Sequence, residues 1–265
     1  MNNLFELARD CLVQDNAIEK LNITHRAWAL YQAGEINYQI DVPIEPIAQV
    51  QFPKLPELKE PRDMPRRKFT TEKGINALLH AVTHIEFIAI NLAWDILYRF
   101  RGLPEKFYQD WLKVAEEEAQ HFTLLRNHLL QRGIDYGDLP AHGGLWDHAE
   151  QTADDLLARL ALVPRCMEAR GLDVTPAMIE NFKKINDPKS AEILTTILKD
   201  EVGHVAIGSY WFNYFCEKNQ IDSESHYQKM VLRYLKEKPK GPFNKEMRII
   251  AGFTHAELDW LEHDK

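Results

Sequence analysis

Two tetrapeptides in this 265-residue chain place an imidazole three residues after a carboxylate: Glu118-Ala-Gln-His121 and Glu201-Val-Gly-His204. At that spacing on an α-helix the two side chains stand about 60° apart around the axis and one turn apart along it, so both can reach a single cation. Carboxylate oxygen and imidazole nitrogen are good ligands for divalent transition metals. One such pair carries little information, because 23 Glu and 11 His in 265 residues make about one expected by chance. The arrangement carries more. These are the only two pairs of the kind, and each follows another Glu at nearly the same distance: Glu86 lies 32 residues before Glu118, and Glu168 lies 33 before Glu201. Six side chains in two equivalent sets are what a dinuclear carboxylate site inside a helical bundle requires.

Glu86 is informative by itself. It sits in the apolar run HIEFIAINLAW, where an ionised carboxylate buried without a partner would cost several kcal/mol. Glu168, in RCMEARG, has Arg165 and Arg170 as competing partners and falls near an expected helix end. His80 and His84 are displaced from Glu86 by about 240° and 160° around an ideal helix, so they should meet a different neighbour and serve structure. Glu116, Glu117 and Asp200 point about 100° or more from the ligand line, toward solvent or the surroundings of the site. Asp200 is also placed to receive a ring N–H from a ligand histidine. His128, His142 and His148 show no partner spacing and are assigned no role.

The elements that must position these residues are helical. Residues 1–35 read as helix with Leu4, Leu7, Ala8 and Leu12 or Val13 on one stripe. From Asp41 to Pro65 the prolines at 43, 46, 53, 56, 61 and 65 remove too many backbone donors for helix or central strand, which predicts an extended arm on the outside of the main domain. Thr70 is a candidate N-cap for a helix running to about Phe100 and stopping at Gly102. Pro104 and Glu105 open a second helix that ends near Gly133. Gly137, Pro140, Gly143 and Gly144 mark a crossover, followed by a third helix over about 145–169 that stops at Gly171. Pro164 inside it is expected to kink it and free a carbonyl. Thr175-Pro176 should open a short connecting helix that climbs back beside the bundle, and Asp187-Pro188 should cap a fourth long helix reaching about Cys216. Thr254-His-Ala-Glu257 has the capping-box pattern of a last short helix.

The expected fold class is therefore all-α: two helical hairpins joined by a long crossover, the plan of a four-helix bundle. The segments are 1–69, an N-terminal helix and Pro-rich arm; 70–219, the metal-binding bundle; and 220–265, a C-terminal helical extension.

Composition narrows the function classes. A net charge of −8 and a pI near 5.8 do not suggest a nucleic-acid footprint; Arg66, Arg67 and Lys68 read as a solvated turn. Cys11, Cys166 and Cys216 are odd in number and far apart, so neither a disulfide framework nor a thiolate zinc site is suggested, and a reducing cytosol fits. The N-terminus lacks the basic start and apolar run of a signal peptide, and no stretch reads as the roughly 18 uncharged apolar residues of a membrane span.

At PRDMPRRKFT, ALLHAVTHIEFIAINLAWDILYRFRGLP, EEEAQHFTLL, YGDLPAHGGLWDHAEQTADDLLARLALVPRCMEARGLDVTP, DEVGHVAIG and GPFNKEMRIIAGF, the chain resembles an uncharacterised bacterial family within the ferritin-like superfamily. The match covers most of the chain from about Pro61 onward. The resemblance implies a ferritin-like bundle holding two iron ions, with Glu86, Glu118, His121, Glu168, Glu201 and His204 as ligands. An iron–manganese pair is an alternative, and zinc a substitute after heterologous expression. It supplies no substrate. An O2-dependent oxidoreductase, a hydroxylase or oxidase, is the leading expectation, with O2 or peroxide, an unknown small molecule and an external reductase as partners; an oligomer is compatible with it. Iron storage, peroxide scavenging or metal sensing is the second reading. Storage is disfavoured because arm and tail would hinder a cage, and a rubredoxin-type module needs four thiolates that three scattered cysteines cannot make. A scaffold with a structural metal site is the third.

Overall fold

The computed structural model describes residues 2–40 and 43–263, so Asp41, where the arm was expected to begin, lies outside the described residues. The fold is mainly helical; the described strands are two-residue pieces, β1 (Asn2–Asn3) and β2 (Ile36–Asn37), paired in parallel. The chain divides into two compact units, residues 1–150 and 151–265.

In the first unit, α1 (Leu4–Leu12) and α2 (Ala17–Gln32) are separate helices, each N-capped by an asparagine, Asn3 and Asn16. Leu12 belongs to the buried stripe and Val13, 44% exposed, does not. The long helices α3 (Glu72–Arg99) and α4 (Glu105–Gln131) make an antiparallel hairpin across the short turn 100–104. Gly102 takes φ +69° in that turn, a conformation that costs glycine least. The cap of α3 is Thr71, not Thr70: its hydroxyl accepts from the Gly74 N–H at 3.1 Å. Both α1 and α2 pack on this hairpin, α1 against α3 and α2 against α4. Trp94 Nε1 donates to Thr24 Oγ1 at 2.8 Å, tying α2 to α3 as well.

α3 comes closer to a membrane span than its sequence suggested, with an 18-residue window of mean hydropathy 1.3. Fully 78% of that window is buried inside the protein, so its apolar surface is consumed by the core. The proline-rich segment is non-helical apart from two single 3₁₀ turns, and it docks rather than dangles. Tyr98 Oη donates to the Pro43 carbonyl and accepts from the Glu45 N–H, both at 2.9 Å, while Leu58 bridges to Ala141 beyond α4. A short helix, α5 (Gly144–Gln151), closes this unit.

In the second unit the expected third helix, 145–169, is replaced by several elements. After the break that follows α5, Asp155 caps α6 (Leu156–Leu162) through the Ala158 N–H. A π-helical turn over Val163–Glu168 comes next, then α7 (Ala169–Lys184). Pro164 opens the π turn, where its missing N–H and ring disfavour regular α-helix. Neither Gly171 nor Thr175-Pro176 ends or starts a helix; both lie inside α7. Pro176 cannot donate to the Leu172 carbonyl, and Asn244 Nδ2 donates to that oxygen instead at 3.3 Å. A neighbour thus compensates the bond that proline removes.

α7 turns at residues 185–187 directly into α8 (Pro188–Lys218), capped by Asp187 as expected. No separate connecting helix climbs back. The extension adds α9 (Ser223–Leu235), α10 (Lys245–Ile250) and α11 (His255–Glu262), the last with its Thr254/Glu257 capping box formed. All three cysteines are free and buried, and burial pushes each thiol up to about 11.

Candidate metal centre

Around the first hairpin, Glu86 precedes the turn by about as many residues as Glu118 follows it, so antiparallel packing brings the two carboxylates level. His121 stands one turn beyond Glu118 on the same face. Its Nδ1 is 3.1 Å from Glu86 Oε2 and 3.6 Å from Glu118 Oε2. Each of the three offers a ligand atom within 4.8 Å of the others. Glu118 is 0% exposed, His121 1% and Glu86 3%.

Two carboxylates so far from water need a positive partner. Burial alone would push His121 down, but hydrogen bonds to Glu118 and Glu86, and their charges, outweigh it and raise it to about 11. Without a metal, a proton on His121 meets part of that demand. A divalent cation would meet more of it, and this donor set of two carboxylates and an imidazole suits iron, manganese or zinc. Glu86, Glu118 and His121 could hold a metal ion.

The second unit carries the other three expected ligands, Glu168 on the π turn and Glu201 and His204 on α8. Glu201 and His204 share one face of α8, with His204 Nδ1 3.7 Å from Glu201 Oε1. His204 is fully buried and the Glu201 side chain is 12% exposed. Glu168 is the last residue of the π turn and is half-buried. Because the helix continues past Gly171, Glu168 stands well before the 185–187 turn, much as Glu201 stands well after it. The π turn and α7 both pack on α8, so Glu168 and Glu201 lie on neighbouring elements without any return segment. Arg165, expected as a competitor for Glu168, turns instead to Glu257, with Nη2 2.7 and 2.8 Å from its carboxylate oxygens. Arg170 pairs with Asp173 at 3.4 Å.

The histidines set aside on angular grounds go elsewhere. His80 and His84 both stack on Tyr136; His80 Nε2 accepts from the Gly137 N–H at 3.0 Å and His84 Nδ1 meets Tyr136 Oη at 2.9 Å. Burial pushes both rings down to about 4. They pin the crossover to α3. Glu116 pairs with His25 at 2.8 Å and Glu117 with Lys113 at 2.5 Å, so neither joins the ligand set. The sequence pattern predicts a kink at Pro164, and the structure has a π turn there instead. Pro164 is one signal of the turn and Gly208 the second: a Cβ there would stand 2.3 Å from Pro164 Cβ.

Paired helices bearing buried carboxylate–histidine sets define the class of site. The chain belongs to the family described as protein of unknown function DUF455, whose model matches residues 13–259. It is similar to an uncharacterised protein of Haemophilus influenzae, 46% identical over 217 residues that cover 79% of this chain and 75% of the relative. No solved structure matches it.

Proposed function

We propose that the two half-sites form one dinuclear iron centre in a ferritin-like bundle spanning residues 70–219, and that the protein is an O2-dependent oxidoreductase acting on a small organic molecule. Glu86, Glu118, His121, Glu168, Glu201 and His204 are the ligands of this reading. The observation that carries it is the burial of Glu86 and Glu118 beside His121, a concentration of negative charge that suits a cation. When bound, a pair of iron ions supplies the redox chemistry that O2 reduction needs. The chain's own residues set the geometry. His121 and His204 each supply one imidazole, and the four carboxylates balance the charge. Six side chains cannot fill two octahedral shells, so positions remain for water, O2 or substrate. An external reductase would renew the electrons, in a cytosol whose reducing conditions suit the three free thiols.

Protein purified from its own host should contain close to two transition-metal ions per chain, iron or iron with manganese, about 3.5–4 Å apart. One tightly held ion in a tetrahedral site would remove the dinuclear reading. The reduced protein should react with O2 and develop near-ultraviolet absorption, and a reductant should then sustain turnover of an organic substrate. If the reduced form survives in air for hours, the enzyme reading yields to metal storage, sensing or a structural role.

A further inference from the structure

A cavity of about 310 Å³ lies within the first unit, on a different side of α3 from the carboxylates. Its contributions from α3 are His84, Phe87 and Ile88, and His84 and Ile88 are about 160° around the helix from Glu86. The proline-rich segment forms the opposite wall with Phe52, Pro56 and Leu58, and α5 closes one side with Trp146. The rings are ordered against one another: Phe52 meets Trp146 edge-on at 5.1 Å, and Phe87 lies 5.4 Å from Tyr136. The volume is at the lower end of what small-molecule sites use.

Its polar groups are few and of one sign. His84 and Tyr136 hydrogen-bond each other along one wall. Asp147 and Glu150, one turn apart on α5, are exposed at the edge, and among the described residues neither is in an ion pair. The cation above the Phe52 ring, Lys20 Nζ at 5.6 Å, is engaged by Asn91 Oδ1 at 2.7 Å and by the Cys11 carbonyl at 2.8 Å. Aromatic faces attract cations through their quadrupoles, and two carboxylates at the mouth add to the same preference.

We propose that this cavity binds a small arylalkyl amine, its ring among Phe52, Phe87 and Trp146 and its ammonium group between Asp147 and Glu150. The site does not depend on the metal centre being catalytic, because none of its residues is among the six ligands. It also gives the proline-rich segment a use beyond covering the hairpin: the segment supplies the wall opposite α3.

The test is calorimetric titration of the full-length, metal-loaded protein with three probes of similar shape: 2-phenylethylamine, 2-phenylethanol and 3-phenylpropionate. The amine should bind saturably and at least about tenfold more tightly than the alcohol or the acid. Asp147→Asn combined with Glu150→Gln, at two exposed positions, should abolish that preference while leaving the alcohol unchanged. Val50→Trp, which fills the cavity from the exterior segment, should abolish binding of all three at unchanged helicity. Absence of saturable amine binding would overturn the proposal. So would equal affinity for amine and acid, a preference that survives the double substitution, or binding that survives Val50→Trp. Metal content is read on the same samples and should not change, which separates failure here from failure of the iron reading.

Discussion

The two halves of the candidate centre repeat one pattern on different mechanical supports. Glu86, Glu118 and His121 stand on uninterrupted α-helices and are at most 3% exposed. Glu201 and His204 also stand on a regular helix, but Glu168 ends a π turn and is half-buried. A π turn breaks the regular ladder, so the position of Glu168 is set by what packs on the turn rather than by helix geometry alone. The lesson is that equal sequence spacing does not imply equal rigidity. In the metal reading, the first half anchors an ion and the second half leaves room for ligands to exchange.

Metal retention gives the largest expected effect and the most direct way to break this contrast. Glu118→Ala should lose at least one ion per chain, and so should His204→Ala, as measured by elemental analysis of folded protein. Glu168→Ala should retain more metal than Glu118→Ala. His80→Ala and Glu117→Ala should retain both ions, since those side chains are turned to Gly137 and Lys113. Equal losses from Glu118→Ala and Glu168→Ala would abolish the anchor-and-adjuster distinction.

Next in size is the buried ion pair that steadies the π turn. Arg165 is 0% exposed, its guanidinium pairs with Glu257 and lies 4.5–4.8 Å from the rings of Phe212, Tyr227 and Phe253. Removing one partner leaves a buried charge uncompensated, so Glu257→Gln should destabilise the protein by about 3–5 kcal/mol. Replacing both, Arg165→Met with Glu257→Leu, should recover much of that loss in a denaturant titration. A recovery close to zero would mean that the ring contacts, not the charge pair, hold the turn.

Much of this was legible in the sequence, for reasons tied to particular residues. Glu86, Glu118 and Glu201 declared themselves by fixed spacing on long helices, and Asp187-Pro188 and the Thr254/Glu257 box acted through local hydrogen bonds that sequence does encode. The third helix was not legible. Gly171 and Pro176 are helix breakers by propensity, yet neither breaks α7; at the proline, Asn244 takes the orphaned Leu172 carbonyl from 72 residues downstream. Compensation from a distant residue leaves no local signature. The π turn likewise depends on a long-range fit, Pro164 against Gly208, that neither residue announces alone.

That fit gives the third effect. Gly208→Ala would place a Cβ 2.3 Å from Pro164 Cβ, and overpacking of this kind costs about 1–3 kcal/mol. Because the clash is with the proline ring, Pro164→Ala in the same chain should relieve part of the loss, and the coupling is measurable in a double-mutant cycle. Strict additivity would show that the π turn does not rest on this contact. The first hairpin carries no π turn, so a surface alanine substitution there, such as Gln120→Ala on α4, should stay within about 0.5 kcal/mol.

The smallest effect contrasts the buried cations of the two units. Arg165 is paired with a carboxylate, that of Glu257. Lys20, 0% exposed on α2, is held by neutral acceptors: Asn91 Oδ1 at 2.7 Å and the Cys11 carbonyl at 2.8 Å. Burial therefore lowers its ammonium from the usual 10.5 to about 8, with Cys11 and Asp15 opposing the shift. Below the folded value both states are charged and the fold carries the whole penalty. Between the folded and unfolded values the unfolded chain holds more protons than the native one, so stability rises with pH, and above both values the penalty has gone. Between pH 7 and 9 the gain from this group should be about 1 kcal/mol. Urea unfolding at the two pH values reads it, with Lys20→Met as the reference that should lack the increment. Arg165→Met combined with Glu257→Leu removes both charges of the other buried pair and should shift stability by the same amount at both pH values. A Lys20→Met variant that keeps the full pH slope would assign the slope to other groups and leave Lys20 charged throughout.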